Sequence, residues 1–234
     1  MPDRPYTLLS CCVSLDGYLD DAGPERLVLS PGVDLERVDA ERAGCDAILV
    51  GAETVRRDDP RLLVRSESCR AARAARGLPI TPLRVTVTRG GGLPPDARIF
   101  TEPGSGTLVY AAAPAVKPLA RRLGAGATVI DAGADVDLGW VLADLVTRGV
   151  DRLMVEGGRR VLTSLLTASL VDELQLVVAP VFVGDARAPR FVDAGTFPWT
   201  ATNRARLADV RQVGDAALLR YALSERYSVP LQEG

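Results

Sequence analysis

Short apolar segments alternate with amphipathic segments along most of the chain. This alternation predicts an α/β domain with a largely parallel sheet, because buried parallel strands read as continuous apolar runs with helices between them. The apolar segments predict strands at residues 6–14, 46–50, 83–88, 107–111, 127–130 and 152–155.

The pattern changes in the C-terminal part of the chain. The segments VDELQLVVAPVFVGD and ARLADVRQVGDAALLRYALS contain three extended runs, and Gly214-Asp215 separates the last two as the turn of a hairpin would. The sheet is therefore predicted to be mixed, with antiparallel strands at its C-terminal end.

Two of the segments between strands carry clear helix signals. Ser30 is a predicted N-cap with Pro31 at the first helical position, and this helix ends at Gly44. In residues 137–150, apolar side chains recur at spacings of three and four, and Gly149 provides a stop. Since no linker or repeat interrupts the pattern, we expect one domain over residues 1–234.

Charge and hydropathy narrow the classes of partner. The 234 residues carry a formal net charge of −2, which gives no reason to expect nucleic acid or an anionic membrane as a partner. The apolar runs are shorter than the roughly 20 residues that span a bilayer, and the N-terminus lacks the pattern of a secretory signal. We therefore expect a cytoplasmic protein.

The residue types limit the chemistry that the chain can perform. It contains no histidine, which removes the usual general base and the commonest zinc ligand, and we expect no metal site. Lys117 is the single lysine, and its polar, proline-flanked position does not suit a Schiff-base enzyme. The four cysteines show no C-x-x-C spacing and are expected to be buried free thiols.

One candidate site is LMVEGGRRVLTSLL, where a strand ends at Glu156 and a helix begins near Arg159. The two glycines between them allow a close turn, and the N–H groups at the helix N-terminus could hold an anion such as a phosphate. The segment matches neither G-x-G-x-x-G nor G-x-x-x-x-G-K-[ST]. A plain β–α turn, with glycine present for tight packing, is the alternative.

A second candidate is DAILVGAETVRRDDPRLLVR, in which charges crowd at the end of a buried strand. Pro60 predicts an extended Asp59, and Asp58 can bond the local backbone. Strand ends of this kind are where ligands bind in open α/β sheets. A solvated turn whose charges pair with one another is the alternative. A third segment, CCVSLDGYLDD, is by itself only a turn signal at Asp16-Gly17.

Taken together, the motifs VSLDG, DAILVGAETVRRDDPRL, VEGG and LVDELQLVVAPVFVGD resemble the reductase domain of riboflavin biosynthesis, a branch of the dihydrofolate-reductase-like superfamily, over residues 6–223. The resemblance implies a three-layer α/β fold, with a mixed, mostly parallel sheet, antiparallel C-terminal strands and helices on both faces. It also implies a stand-alone NADPH-dependent reductase that delivers hydride to C1′ of a phosphoribosylamino-pyrimidine and leaves a ribitylamino product. Members of this family are typically homodimers, and the apolar segment LQLVVAPVFV is the expected interface.

The resemblance assigns residues to the site. The expected substrate-binding residues are Arg42, Leu62, Arg65 and Glu156. The expected cofactor-binding residues are Val13, Thr54, Asp58, Gly157, Gly158, Arg159, Arg160, Val161, Leu162, Thr163 and Ser164, with Gly158 to Ser164 as the pyrophosphate cradle. Arg89, Arg159 and Arg160 are available for the 2′-phosphate that distinguishes NADPH from NADH. Because the chain has no histidine, Asp58 and then Glu156 are the candidate catalytic residues that handle the proton.

Three positions depart from the family pattern. Ser10 stands where many bacterial members have lysine, Val28 stands in place of a tryptophan, and Arg26 replaces a substrate-contacting serine. Two alternatives therefore stay open: a reductase of the same fold acting on a pteridine or a specialised-metabolite imine, and a non-catalytic dinucleotide-binding protein. The sequence also leaves open whether the pyrimidine is deaminated or still aminated.

Overall fold

The computed structural model describes residues 3–23 and 27–227, so Arg26 lies outside the described residues. The strands in these ranges are β1 (Tyr6–Ser14), β2 (Ala47–Gly51), β3 (Leu83–Thr88), β4 (Thr107–Ala111), β5 (Thr128–Asp131), β6 (Arg152–Val155), β7 (Glu173–Ala179), β8 (Arg206–Val213) and β9 (Ala216–Ala222). The α-helices are α1 (Gly32–Ala43), α2 (Ala52–Asp58), α3 (Glu67–Ala75), α4 (Arg98–Thr101), α5 (Ala113–Leu123), α6 (Leu138–Thr147) and α7 (Arg159–Thr167). No helix in the described ranges has both the length and the apolar character needed to cross a bilayer.

The strands form one sheet in the order β5-β4-β3-β2-β6-β1-β7-β9-β8. Neighbouring strands from β5 to β7 run parallel, whereas β9 pairs antiparallel with both β7 and β8. The β8–β9 turn contains Gly214, whose φ of 63° lies in the left-handed region that glycine favours. The predicted mixed sheet is confirmed, and the predicted parallel strands lie within one residue of the observed bounds.

Apolar side chains cover both faces of the sheet, because successive residues of a strand point to opposite sides. Leu9 of β1 packs in a cluster with Leu145 of α6 and Leu162 of α7. Leu8, the preceding residue, packs on the other face in a cluster with Leu119 of α5. The predicted three-layer arrangement, with helices on both faces of the sheet, is confirmed.

Helix α1 begins one residue later than the sequence predicts. Pro31, expected at the first helical position, is the N-cap, with φ −65° and ψ 159°, and its side chain provides no cap hydrogen bond. The Pro31 carbonyl accepts the first helical hydrogen bond, from Asp34 N–H at 2.9 Å. Ser30 is therefore not the N-cap, because it precedes the residue whose carbonyl starts the helix.

The apolar segment that the sequence suggests as a dimer interface is largely interior. Strand β7 is paired on one edge with β1 and on the other with β9. Its backbone hydrogen bonds are therefore used inside the sheet. Exposed apolar side chains follow the strand at Val181 and Phe182, and others lie on β8 at Leu207 and Val210.

Asp172, just before β7, ties the two ends of the described chain to the sheet. Its fully buried carboxylate accepts hydrogen bonds from both Arg4 guanidinium nitrogens, at 2.6 and 2.8 Å, and from Thr7 N–H at 2.9 Å. Ser224 and Arg226 donate to it from the other side. Burial opposes the charge, but the hydrogen bonds from Arg4, Ser224 and Thr7 outweigh burial and hold the pKa of Asp172 below its ordinary value.

Replacing Asp172 with asparagine should lower the free energy of unfolding by about 3 kcal/mol at neutral pH, because Arg4 loses a buried partner. A carboxylate with a depressed folded-state pKa stabilises the fold above its unfolded pKa of about 4, and that stabilisation disappears as pH falls through the folded-state pKa. Urea unfolding of both proteins from neutral to acidic pH should thus show converging stabilities. Asp151→Asn, at an exposed residue before β6, is the control. An equally large deficit at low pH would contradict the charge-based explanation.

Candidate active site

A cleft of about 430 Å³ lies at the carboxyl ends of β2 and β6, beside α1 and the first turns of α2 and α7. Such an edge is where ligands bind in open α/β sheets. The cleft is lined by residues 10–12, 19–20 and 27–30, by several residues of α1 between 34 and 42 and of α2 between 53 and 58, and by Arg65, residues 156–159 and Pro189.

Arg42 and Glu156 form a bidentate ion pair in this cleft. Arg42 Nε and Nη2 each donate to one oxygen of Glu156 at 2.6 Å, and Nη1 donates to the Leu63 carbonyl at 2.9 Å. Glu156 directly follows β6, and its N–H donates to Leu49 O at 3.0 Å. Burial opposes the charge of Arg42, but the Glu156 carboxylate outweighs burial and raises the pKa of Arg42 above its ordinary value. The pair joins helix α1, the segment after α2 and the central sheet.

The segment after α2 differs from the prediction at Asp59. An extended Asp59 was expected before Pro60, but its φ of 42° and ψ of 57° are left-handed. Asp59 is the C-cap of α2, its N–H donates to Val55 O, and its carboxylate accepts from Arg98 N–H at 2.7 Å and Arg98 Nε at 2.9 Å. Asparagine and aspartate tolerate this conformation better than other non-glycine residues, and these contacts outweigh the preference of a residue before proline.

A buried carboxylate on α1 fixes the position of Arg65. Asp39 accepts hydrogen bonds from Arg65 N–H at 2.8 and 2.9 Å and from Ser66 N–H at 2.6 Å, just where α3 begins. The Arg65 side chain is 59% exposed, and its Nε lies 4.0 Å from Asp39. The backbone of Arg65 is therefore held in place, while its exposed side chain contributes to the cleft lining with only a loose ion pair.

Gly157 and Gly158 shape the turn between β6 and α7. Their φ angles, 82° and 92°, are in the region that strongly favours glycine. A side chain at Gly158 would come within 3.2 Å of Thr54 Oγ1 and 3.5 Å of Gly51 N. The turn therefore brings backbone close to the first turns of both α2 and α7, a geometry suited to an anion or a dinucleotide pyrophosphate.

The expected cofactor residues divide into two groups. Thr54, Asp58, Gly157, Gly158 and Arg159 line the cleft. The others do not: Val13, Val161 and Leu162 are buried, Arg160 and Ser164 are exposed, and Thr163 Oγ1 accepts from Asp193 N–H.

Two of the three arginines considered for a 2′-phosphate already have carboxylate partners. Arg89 is outside the cleft lining and forms an exposed bidentate pair with Asp135, at 2.8 and 2.7 Å. Arg159 Nε lies 3.1 Å from Asp193. An incoming phosphate would therefore compete with a carboxylate for either guanidinium.

The expected substrate-binding residues also fall into two groups, those that line the cleft and one that does not. Arg42, Arg65 and Glu156 line the cleft together with Asp58. Leu62 is 2% exposed, has a positive φ of 51°, and packs in the apolar cluster that contains Leu8. Leu62 therefore supports the loop from beneath and does not line the cleft.

The SLDG segment holds the loop after β1 against the loop after β7. Asp16 accepts from Ser14 Oγ at 2.6 Å and from Val183 and Gly184 N–H at 3.1 and 2.8 Å. The Ser14 and backbone hydrogen bonds lower the pKa of Asp16 to about 2. Asp16 therefore has a structural role in joining these two loops, beyond the simple turn that the sequence indicates.

Sequence reasoning missed several residues of the cleft. Arg57 lies 3.0 Å from Asp20 and donates to Asp21 O at 3.0 Å, which fastens the segment after β1 to α2. Asp34 and Arg37 of α1 also line the cleft. Asp34 and Arg37 are three residues apart on one helix, which suggests a shared side, but the sequence carries no signal that this side faces the cleft.

Two cysteines of β1 line the cleft as free thiols. Burial raises the pKa of both Cys11 and Cys12, and burial raises the pKa of Cys45 to about 12. Thiolate chemistry at neutral pH is therefore disfavoured at all three residues. Cys45 is buried as predicted, whereas Cys11, Cys12 and Cys69 are only partly buried.

The chain is similar to known proteins over nearly its full length. It is 35% identical over 226 residues to the 2,5-diamino-6-ribosylamino-4(3H)-pyrimidinone 5′-phosphate reductase of Archaeoglobus fulgidus, covering 96% of this chain and 99% of that protein. The enzyme of the same name from Methanothermobacter thermautotrophicus is 37% identical over 191 residues, covering 81% and 84%. Acinetobacter baumannii RibD, in its form 2 structure, superposes with a TM-score of 0.76 at 26% identity, covering 94% of this chain and 58% of that one.

The model of the RibD C-terminal domain matches residues 5–219. This match covers most of the chain and includes every residue of the cleft described above. The chain belongs to the RibD C-terminal domain family.

Proposed function

We propose that this chain, as a single domain, is an NADPH-dependent reductase of a phosphoribosylamino-pyrimidine in riboflavin biosynthesis. The observation that supports this most directly is one cleft whose lining contains the Gly157–Gly158 turn, the Arg42–Glu156 pair and Arg65. Relatives that match along most of their length are named as reductases of 2,5-diamino-6-ribosylamino-4(3H)-pyrimidinone 5′-phosphate, and we assign the same substrate class here. The homodimer and the cytoplasmic location stay predictions.

The residues present fit a dinucleotide. The turn at Gly158 is a cradle that a Cβ would fill, and the amino end of α7 offers N–H groups and a positive dipole end to a pyrophosphate. Thr54, one turn before Asp58 on α2, forms the other side of this cradle. Bound NADPH would supply the hydride that converts the C1′=N form of the ring-opened substrate to an amine.

Three side chains carry out phosphate binding, substrate positioning and proton transfer. Arg65 is placed to bind the 5′-phosphate, because its guanidinium is the most loosely paired of the cleft arginines. Glu156 is fixed by Arg42, so it positions a polar group of the substrate. One proton must reach the nitrogen when hydride adds to C1′. We assign that transfer to Asp58, directly or through water, because its carboxyl group lines the cleft one turn after Thr54 on α2.

Initial-rate measurements test the proposal. Purified protein should oxidise NADPH when given the 2,5-diamino substrate or its deaminated counterpart, and should use NADH less well. Failure with both pyrimidines, in protein that binds NADPH, would overturn the proposed activity. Turnover of a pteridine or another imine under the same conditions would support the alternative reductase, and no turnover with any of them would support the non-catalytic protein.

Asp58→Asn should lower kcat about 100-fold, the usual effect of removing a general acid or base. The KM should change little, because the amide keeps the shape and polarity of the side chain. Asp59→Asn is a matched control: this neighbouring carboxylate pairs with Arg98, outside the cleft lining. An Asp58 variant with near wild-type kcat would remove Asp58 from proton transfer.

Arg65→Ala should raise KM for the phosphorylated substrate about 10- to 100-fold, the effect of losing a charged hydrogen-bonding partner. The dephosphorylated substrate should be affected much less by the same substitution. Arg61→Ala serves as control, because that arginine pairs with Glu102 and does not line the cleft. Equal losses for the two substrates would argue against phosphate recognition by Arg65.

Gly158→Ala should weaken NADPH binding about 10-fold or more, because it adds a methyl group to the cradle and strains a left-handed backbone. Gly149→Ala separates the two effects. Gly149 has a similar φ of 81°, but a Cβ there meets nothing within 4 Å. Titration of NADPH by calorimetry should show weaker binding only for the Gly158 variant, and equal weakening in both would attribute the effect to general strain.

A further inference from the structure

Asp34 is a buried carboxylate that faces the cleft. It lies in the first turn of α1, its side chain is 2% exposed, and it is part of the cleft lining. Arg37 Nε donates to Asp34 Oδ1 at 2.7 Å. Among the residues that the structure describes, Arg37 is the one hydrogen-bond donor to the Asp34 side chain. Oδ2 can therefore accept a hydrogen bond from a ligand.

Arg37 itself is anchored to the sheet. Its Nη1 donates to the side-chain oxygen of Gln175 on β7. The amide nitrogen of Gln175 in turn donates to Glu41 at 2.8 Å and to Glu173 at 2.9 Å. These contacts fix the guanidinium, and through it they fix the orientation of the Asp34 carboxylate. A rigid acceptor discriminates between ligands better than a mobile one, because it cannot move away from a poor partner.

Beside the Asp34–Arg37 pair, the wall that β1 contributes is polar and carries no charged side chain. Ser10 and Cys12 of β1 line the same part of the cleft as α1. Burial raises the pKa of the Cys12 thiol, so that group carries no charge at neutral pH. Arg37 is the cation paired with the Asp34 carboxylate, and no lysine adds to it, since Lys117 on α5 is the single lysine of the chain.

A carboxylate accepts hydrogen bonds and donates none. The 2-amino-4(3H)-pyrimidinone ring presents two adjacent donors, the ring N3–H and the 2-amino group. In the deaminated uracil ring the 2-amino group is replaced by a carbonyl, whose oxygen would face the carboxylate without a proton between them. An unpaired or repelled polar group in a buried site costs more than a lost contact.

We propose that Asp34 is a specificity-determining residue, which selects the still-aminated pyrimidine by accepting hydrogen bonds from its N3–H and 2-amino groups. This inference rests on the proposed function, because it places the pyrimidine base in the inner part of the same cleft. It extends that function by assigning the substrate as the 2,5-diamino compound in preference to its deaminated product. The selection is made by one side chain of α1.

The test compares two phosphorylated substrates, the 2,5-diamino-pyrimidinone and 5-amino-6-(5-phosphoribosylamino)uracil. Their affinities are measured by calorimetry without reduced cofactor, and their kcat/KM values with NADPH. Wild-type protein should prefer the diamino substrate about 10-fold or more, and Asp34→Asn should bring that preference to within about 2-fold. Glu36→Gln, which removes an exposed carboxylate of the same helix, should keep the wild-type preference.

The outcomes separate this inference from the proposed function. Turnover of both substrates with an unchanged preference in Asp34→Asn would overturn the role of Asp34 and leave the reductase intact. Selective binding without turnover would support the role of Asp34 and count against the reductase. A wild-type protein that prefers the uracil would also overturn the inference.

A second measurement needs no variant, in case Asp34→Asn does not fold. Wild-type protein should bind a substrate analogue with hydrogen in place of the 2-amino group about 10-fold more weakly than the diamino compound. Equal affinities would show that the 2-amino group makes no hydrogen bond in the cleft. That result would overturn the inference independently of any mutation.

Discussion

The ion pair between Arg42 and Glu156 is the contact on which the geometry of the cleft depends. It connects the last turn of α1 to the residue that follows β6, and the same guanidinium holds the Leu63 carbonyl. Three separate parts of the chain therefore meet at one side chain. Removing one partner of a buried pair typically costs about 3–5 kcal/mol, because the other charge is left buried without compensation. The cleft can keep a fixed shape only while this pair is intact.

Helix α1 is held in place mainly by polar contacts. Asp39 binds the backbone of Arg65 and Ser66, and Arg37 reaches Gln175 on β7. Beneath the helix, Arg220 donates to the buried Glu173 at 2.8 Å and to Glu41 at 3.3 Å. Hydrogen-bonded charges have preferred directions, whereas apolar packing has few. The helix thereby gains a defined rotation about its axis, and that rotation determines which of its side chains face the cleft.

The sequence predicted the parts of the structure that follow from burial. Apolar runs of four to nine residues gave the parallel strands, because strands covered on both faces need continuous apolar side chains. The glycine pair after Glu156 indicated the turn before α7 for a similarly local reason.

Features that depend on contacts between residues distant in sequence could not be predicted from the sequence. The left-handed Asp59 is stabilised by Arg98, and the position of Leu62 beneath its loop depends on an apolar cluster assembled from many elements. The orientation of Arg37, and through it that of Asp34, likewise depends on Gln175, more than a hundred residues away. The helical spacing of Asp34 and Arg37 was visible in the sequence, but the spacing alone does not reveal which face of α1 meets the cleft.

The distribution of charge in the cleft explains how a protein with a net charge of −2 can attract an anion. Arginines and carboxylates line the cleft in equal number, and most of these arginines are in close ion pairs: Arg37 with Asp34, Arg42 with Glu156, Arg57 with Asp20, and Arg159 with Asp193. A phosphate gains little from a guanidinium whose charge is already compensated, since it must first displace the carboxylate.

Arg65 differs, because its carboxylate partner lies 4.0 Å away and already accepts hydrogen bonds from backbone N–H groups. Asp39 thus orders the loop through the backbone and leaves the Arg65 charge largely available, so Arg65 is the side chain of the cleft that attracts an anion most strongly.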